Sequence, residues 1–249
     1  MTDVKNSSLA TDLVSYWELE EASGTRFDSH GANNLTDNNT VGSAAGKVGN
    51  AADFDRASGE FLNNTTIMSG ISTAFTFSGW FKFPNIGGAN QTVFSVRPGS
   101  GAQNLIQVET YVDPTVGNLR LIGFNSSGQN RKDYQFRNGL AADTWGHFAV
   151  TWDGSTLHFY KDGSTAGVHK QNDGAWPLTA TSRNLRVGAE TNTGNIADGL
   201  IDELGVWTRA LTAAEVAELY NSGAGIPYDA GGGGGGAAQT ARRGVVMMM

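Results

Sequence analysis

The chain contains no cysteine, so neither a disulfide framework nor a thiolate metal site is open to it. No apolar run comes near the ~20 residues that a membrane-spanning helix needs, which predicts no membrane insertion. The opening stretch, MTDVKNSSLATD, lacks the charged-then-apolar layout of a secretion signal and predicts synthesis in a cytoplasm without Sec-type export. The Asn-x-Thr/Ser triplets then carry no glycosylation meaning. Basic residues are too few to dominate: 17 stand against 24 acidic ones, for a net charge of −7. That balance argues against nucleic acid or an anionic membrane as the main partner. A phosphate loop, a nucleophile elbow and a His-Glu-x-x-His motif are all missing. No repeat of about 20–50 residues appears, which argues against a propeller or a solenoid.

What the chain does have is glycine, 34 residues of it, with many Asn, Ser and Thr, the composition of numerous tight turns. Hydrophobic residues make up 39% of the 249, enough for a real core, and the length fits one large all-β domain as well as two small ones. Thr73–Pro84 is the strongest strand: Phe75, Phe77, Gly79, Phe81 and Phe83 fall on one face, and Thr76, Ser78, Trp80 and Lys82 on the other. The strict period of two predicts that the odd face is core. Further strands are predicted at Leu13–Leu19, Ala51–Asp55, Glu60–Asn63, Thr92–Val96, Leu105–Tyr111, Asn118–Gly123, Asp133–Arg137, Trp145–Trp152, Thr156–Lys161, Asn184–Gly188 and Gly199–Trp207. Asp28–Asn34 and Gly42–Asn50 read as turn-rich loops, and Asp153–Gly154 and Asp162–Gly163 as hairpin turns.

The last predicted strand leads into a helix. Thr212 stands three residues before Glu215, the capping-box spacing; Leu211 can staple onto Val216, and Gly223 is the expected stop. About a dozen short strands and one terminal helix predict an all-β fold, a two-sheet antiparallel jelly-roll sandwich with one short C-terminal helix. Residues 1–229 form the expected domain. Residues 230–249 (Ala230, six glycines, then AAQTARRGVVMMM) form an expected Gly-rich tail.

LVSYWELEEASG followed by Asp28-Ser-His-Gly, then AADFD, FTFSGWFKF, WGHFAVTWDGSTLHFYKDG, LRVGAE and GLIDELGVWTRALTAAEVAELYNSG occur in this order. Together they resemble the laminin-G-like, or concanavalin-A-like lectin/glucanase, jelly rolls of the compact bacterial and phage type. The resemblance implies two curved sheets, often with one structural calcium, used for glycan or protein binding more than for catalysis. Fold analogy does not fix function, so each site is weighed on its own residues.

Calcium wants six to eight oxygens at ~2.3–2.6 Å. Asp28, Asn33 and Asp202 match positions that the family's metal site draws upon, with Gly31 or Asn34 able to add a carbonyl. The simpler reading is that Asp28 caps a turn and Asp202 accepts backbone hydrogen bonds. For a glycan, Trp80, Tyr111, Tyr134 and Trp176 supply rings, with Arg131 and Asn130 nearby to hydrogen-bond. The alternative is that these rings simply pack. For catalysis, a retaining glycosidase needs two carboxylates ~5–5.5 Å apart. The glucanase pattern Glu-x-Asp-x-x-Glu is absent, Glu18 and Glu20 read as solvent-facing edge charges, and Glu109 and Asp113 as straddling a turn. The four histidines are scattered, and His147 and His158 read as surface or half-buried residues. The protein is expected to be non-enzymatic.

The tail bears on assembly. Ordering a polyglycine segment costs about 1–2 kcal/mol per residue, so packing must offset it. Arg242 and Arg243 can pair acidic groups, while Val245, Val246, Met247, Met248 and Met249 form an apolar anchor, predicting a tail that docks on a neighbouring subunit of a homo-oligomer. The ending YNSGAGIPYD with its Gly-rich tail resembles laminin-G-like proteins encoded by bacteriophages. That resemblance implies a virion surface protein, a capsid decoration or fibre component with other virion subunits as partners and cell-surface glycans as ligands. The competing expectation is a soluble lectin-like adhesion module, and behind it a glycoside hydrolase.

Overall fold

A computed structural model of the chain describes residues 3–67, 74–98, 106–113, 116–124, 129–137, 139–175, 183–191 and 194–229. The strands are β1 (Leu13–Trp17), β2 (Thr36–Asn38), β3 (Gly42–Ala45), β4 (Asn50–Phe54), β5 (Phe61–Asn64), β6 (Phe75–Lys82), β7 (Gln91–Pro98) and β8 (Ile106–Asp113). They continue as β9 (Val116–Phe124), β10 (Asn130–Phe136), β11 (Gly146–Trp152), β12 (Leu157–Lys161), β13 (Val168–Asp173), β14 (Arg183–Val187) and β15 (Gly199–Trp207), followed by the helix α1 (Ala213–Tyr220). A seven-stranded back sheet runs β12-β11-β6-β15-β4-β3, with β1 also on β15. An eight-stranded front sheet runs β13-β10-β9-β8-β7-β14-β5-β2. The expected all-β jelly-roll sandwich with its short terminal helix is the observed fold.

The core lies between the sheets. Phe75, Phe77, Phe81 and Phe83 of the predicted core face are all buried there. Phe77 stacks on Phe94 at 4.8 Å, and Phe94 on Phe148 at 5.5 Å, so β6, β7 and β11 share one aromatic seam across both sheets. At Gly79 an added Cβ would come within 2.4 Å of the Leu204 side chain, so a larger residue here would force Leu204 to move.

The other face of β6 is not open to solvent as its alternation predicts. Thr76, Ser78 and Trp80 are buried as well, because a second, smaller cluster covers the back sheet. Tyr16, Ala149, Tyr160 and Trp207 project from that sheet into Val4, Leu9, Leu211, Val216, Leu219, Ile226 and Tyr228. The capping box at Thr212 and Glu215 forms as expected, and Leu211 and Val216 join the same cluster. The helix stops at Asn221, in the left-handed region, two residues before the glycine expected to end it. The first and last described segments are tied together: the N–H groups of Val4 and Lys5 donate to the carbonyls of Pro227 and Tyr228, and Lys5 pairs with Asp229 at 2.7 Å.

Three strands have no counterpart in the sequence reading. β3 lies in the stretch Gly42–Asn50 expected to be a loop, and β2 and β13 are short or polar strands at sheet edges. Glu109 and Asp113 do not straddle a turn, since both belong to β8.

Candidate functional site

On the front sheet the side chains alternate, with Val108, Leu119, Leu121 and Tyr134 facing the core. The intervening positions form a polar outer face. Pairing sets Glu109 opposite Arg120, Tyr111 opposite Asn118, and Gln107 opposite Ile122 between β8 and β9. Between β9 and β10 it sets Arg120 opposite Gln135 and Ile122 opposite Asp133. Arg120 is the hub. Its Nε and Nη2 donate to the two oxygens of Asp133 at 3.0 and 2.6 Å, and its guanidinium lies over the Tyr111 ring, 4.6 Å from the centroid. Its Nη1 reaches Oε1 of Glu109 at only 3.6 Å. The Gln107 amide donates to Oε2 of Glu109 at 2.9 Å and to Thr92, while that of Gln135 donates to Asp133.

These groups are largely dry: the Glu109 side chain is 2% exposed and that of Arg120 18%. Burial pushes the Glu109 carboxyl up to about 7, against the pull of Arg120. Arg97 and Arg186 extend the face across β7 and β14, with Arg97 3.8 Å from Glu190. The arrangement is a hydrogen-bonded row of donors and acceptors, mostly buried, in which Arg120 and the half-buried Tyr111 ring that it covers are the more exposed members.

The predicted glycan residues are distributed differently. Tyr111 is half-buried on the polar face, beneath the Arg120 guanidinium. Arg131 is half-buried at the start of β10. Tyr134 faces the core, 1% exposed, with its hydroxyl on Asp173 and Lys170 over its ring, so it offers no platform. Trp80 is likewise no platform: its ring is 3% exposed, stacked on Tyr220 and approached by Lys47 at 4.7 Å. Trp176 and the tail residues Arg242, Arg243, Val245, Val246, Met247, Met248 and Met249 lie outside the described residues.

The predicted metal residues are occupied by donors. Oδ1 of Asp28 accepts from the N–H groups of Tyr16, His30 and Gly31, and Oδ2 from that of Asn33. Burial raises Asp28, but these bonds outweigh it and hold the group below the ordinary carboxylate range. The Asn33 amide donates to Ser15, and its carbonyl accepts from Trp17. Asp202 accepts from the N–H groups of Lys47, Val48 and Glu203. Carboxylates ringed by N–H groups cap turns, and this is what Asp28 and Asp202 do here. Among the described residues no group of three or more His, Asp or Glu side chains is arranged around a metal position.

Beside Asp202, Glu203 sits at a bulge of β15 with a φ of +50°. Its carboxyl lies against Tyr16, yet neither buried oxygen accepts a hydrogen bond of standard geometry. Burial pushes both carboxyls up, and the charge of Asp202 pushes Glu203 up further. The proton they share belongs on Glu203, since three N–H groups stabilise charge only on Asp202. Glu18 and Glu20 are half-buried rather than free edge charges, accepting from Ser29 and from the Asn50 N–H. His147 has Ser78 Oγ 2.9 Å from its Nε2, the contact of a nucleophilic pair, but it is 1% exposed and burial pushes it down to about 3. With the aromatic layer above them, these two atoms have no access to a substrate. His158 is exposed.

Glu109, Arg120 and Asp133 are what the sequence reading missed as a group. The signal was present as alternation, in Gln107-Val-Glu-Thr-Tyr111 and Asn118-Leu-Arg-Leu121, but register decides which of these polar residues meet.

The laminin G family model described as the concanavalin A-like lectin/glucanases superfamily matches residues 56–217. A search of curated proteins found no match. Among solved structures, domain 4 of AbnA, a GH43 extracellular arabinanase from Geobacillus stearothermophilus in complex with arabinotriose, is similar with a TM-score of 0.60 at 20% identity, over 83% of this chain and 97% of that one. The binding domain of Paraclostridial Mosquitocidal Protein 1 has a TM-score of 0.62 at 16% identity, over 86% of this chain and 53% of that one. Trypanosoma rangeli sialidase has a TM-score of 0.65 at 12% identity; 88% of this chain is covered, and it spans 34% of the sialidase. At such identities the likeness is one of fold. Among the described residues no helix is long and apolar enough to cross a membrane.

Proposed function

Because the chain belongs to the concanavalin A-like lectin/glucanases superfamily, we propose that it is a non-catalytic carbohydrate-binding module whose ligand lies on the outer face of the front sheet. The observation that carries this is the wired row Glu109–Arg120–Asp133 beside Tyr111. Sugars are held by directional hydrogen bonds from fixed side chains together with contact to an aromatic face. The family and the arabinotriose-bound relative support the same class of ligand.

Catalysis is the weaker reading of the same residues. A retaining glycosidase needs one carboxylate free to attack and another free to donate a proton. Here Arg120 pairs with Asp133 through two hydrogen bonds and stands beside Glu109, so the acids serve to aim a guanidinium. Titration calorimetry against arabino-, xylo- and galacto-oligosaccharides tests the proposal: wild type binds without turnover, and the folded fractions of Arg120→Ala and Asn118→Ala lose binding, with melting temperatures lowered because both side chains are packed and partnered. Hydrolysis abolished by Glu109→Gln, or binding indifferent to both variants, overturns it.

The finer setting we propose is a bacteriophage virion surface, with residues 230–249 as the assembly contact. Their composition supports it: glycines, then a pair of arginines, then an apolar end. Deletion of 230–249 is expected to abolish co-purification with particles while leaving sugar binding intact.

A further inference from the structure

The guanidinium of Arg120 is used unevenly. Nε and Nη2 are spent on Asp133 at 3.0 and 2.6 Å, the two-pronged geometry in which arginine binds a carboxylate best. Among the described residues the carboxylate near Nη1 is Glu109, at 3.6 Å, too long for a hydrogen bond. Glu109 is drawn aside by Gln107, whose amide donates to Oε2 at 2.9 Å. The charged groups facing Glu109 are Arg120 from β9, Asp133 from β10 and Glu190 from the segment after β14. On the same face, Arg97 and Arg186 stand close enough that the first disfavours the charge on the second. Arg97 and Arg120 thus meet three carboxylates (Glu109, Asp133, Glu190), and on Arg120 the more buried one, Glu109, is held at 3.6 Å against 2.6 Å for Asp133.

Resting on the carbohydrate-binding reading of this face, we infer that its ligand is an acidic sugar, whose carboxylate takes Nη1 of Arg120 in competition with Glu109. Burial holds the Glu109 carboxyl at about 7, so acidification removes the competing charge beside Nη1 of Arg120. A sugar carboxylate, with a pKa of about 3.5, stays ionised throughout. The net charge of −7 does not oppose this, because charges more than about 8 Å away are screened at physiological salt.

Calorimetry with digalacturonate and 3′-sialyllactose, against galactobiose and lactose as neutral counterparts, tests the inference at about pH 6 and about pH 8, either side of the Glu109 value. Both acidic sugars, or the one whose source is the right one, bind several-fold more tightly at the lower pH, with a ceiling of about tenfold per pH unit. Glu109→Gln binds the acidic sugar at the higher pH as wild type does at the lower, with no pH dependence. Arg120→Gln loses the acidic sugar, and Glu109→Gln carries the test alone if that variant fails to fold. Equal binding of neutral and acidic sugars, or a Glu109→Gln variant that follows the wild-type pH profile, overturns the inference while leaving carbohydrate binding standing. Failure of every sugar to bind overturns both.

Discussion

Tyr220 lies flat against Trp80, with ring centroids 5.7 Å apart and planes 22° from parallel. The last residue of α1 therefore lids an indole that strand alternation alone would place in water. Replacing Trp80 with Ala empties a packed position and is expected to cost about 3–5 kcal/mol. The check is denaturant unfolding alongside calorimetry: stability falls sharply, and sugar affinity of the folded fraction is unchanged. A loss of affinity with full stability would return Trp80 to the binding site.

The Asp202–Glu203 pair makes stability depend on pH in the direction opposite to acid denaturation. In the folded state burial raises both groups, so the native protein holds a proton that the unfolded chain releases above about 4.5, the ordinary glutamate value. Stability from this source is complete below that pH and declines as pH rises through the folded value, by at most about 1.4 kcal/mol per unit for one proton. Glu203→Gln keeps the shape and removes the proton. Its melting temperature is expected to fall less steeply between acidic and mildly alkaline pH, and parallel curves for the two proteins would refute the assignment.

The helix start is a separate, local test. Thr212 Oγ1 accepts from the Glu215 N–H, and the Glu215 carboxylate accepts from Thr212 N–H and from Arg209. Thr212→Ala is expected to cost about 1 kcal/mol and to speed amide exchange over the first turn of α1. Arg209 holds Glu215 down to about 2, below its unfolded value, so this contribution is present at neutral pH and is lost as pH falls from about 4.5 toward 2. Acid titration of the Glu215 carboxyl by NMR checks it.

Millimolar calcium is expected to leave the melting temperature of metal-stripped protein unchanged. An ion at Asp28 and Asp202 would have to displace the N–H groups of Gly31, Asn33, Lys47 and Val48 that now fill those oxygens. A rise in melting temperature, together with shifted amide signals at those four residues, would show that the loops give way to the metal.

Much of the sandwich was legible in the sequence because its signals are local. The phenylalanines of β6 repeat at the strand period, and Thr212 and Glu215 stand at the capping-box spacing of a helix start. β3, with the sequence GSAA, and β13, with VHKQND, carry no apolar alternation; they are strands because β4 and β10 offer them an edge to pair with. The same limit applies to the site. Arg120 meets Glu109 and Asp133 through register, 11 residues back along the chain and 13 ahead, and no short motif encodes that meeting. Trp80 shows the converse failure, since period two identifies the face opposite the core but not the second layer that covers it.

Joining Val4 and Lys5 to Pro227 and Tyr228 has a mechanical consequence. The joint sits on the outer side of the back sheet, and the polar face of the front sheet looks the other way. The first and last described segments thus meet at one clasp on the side away from that polar face. A pull along the chain must part that clasp before any load reaches the sandwich.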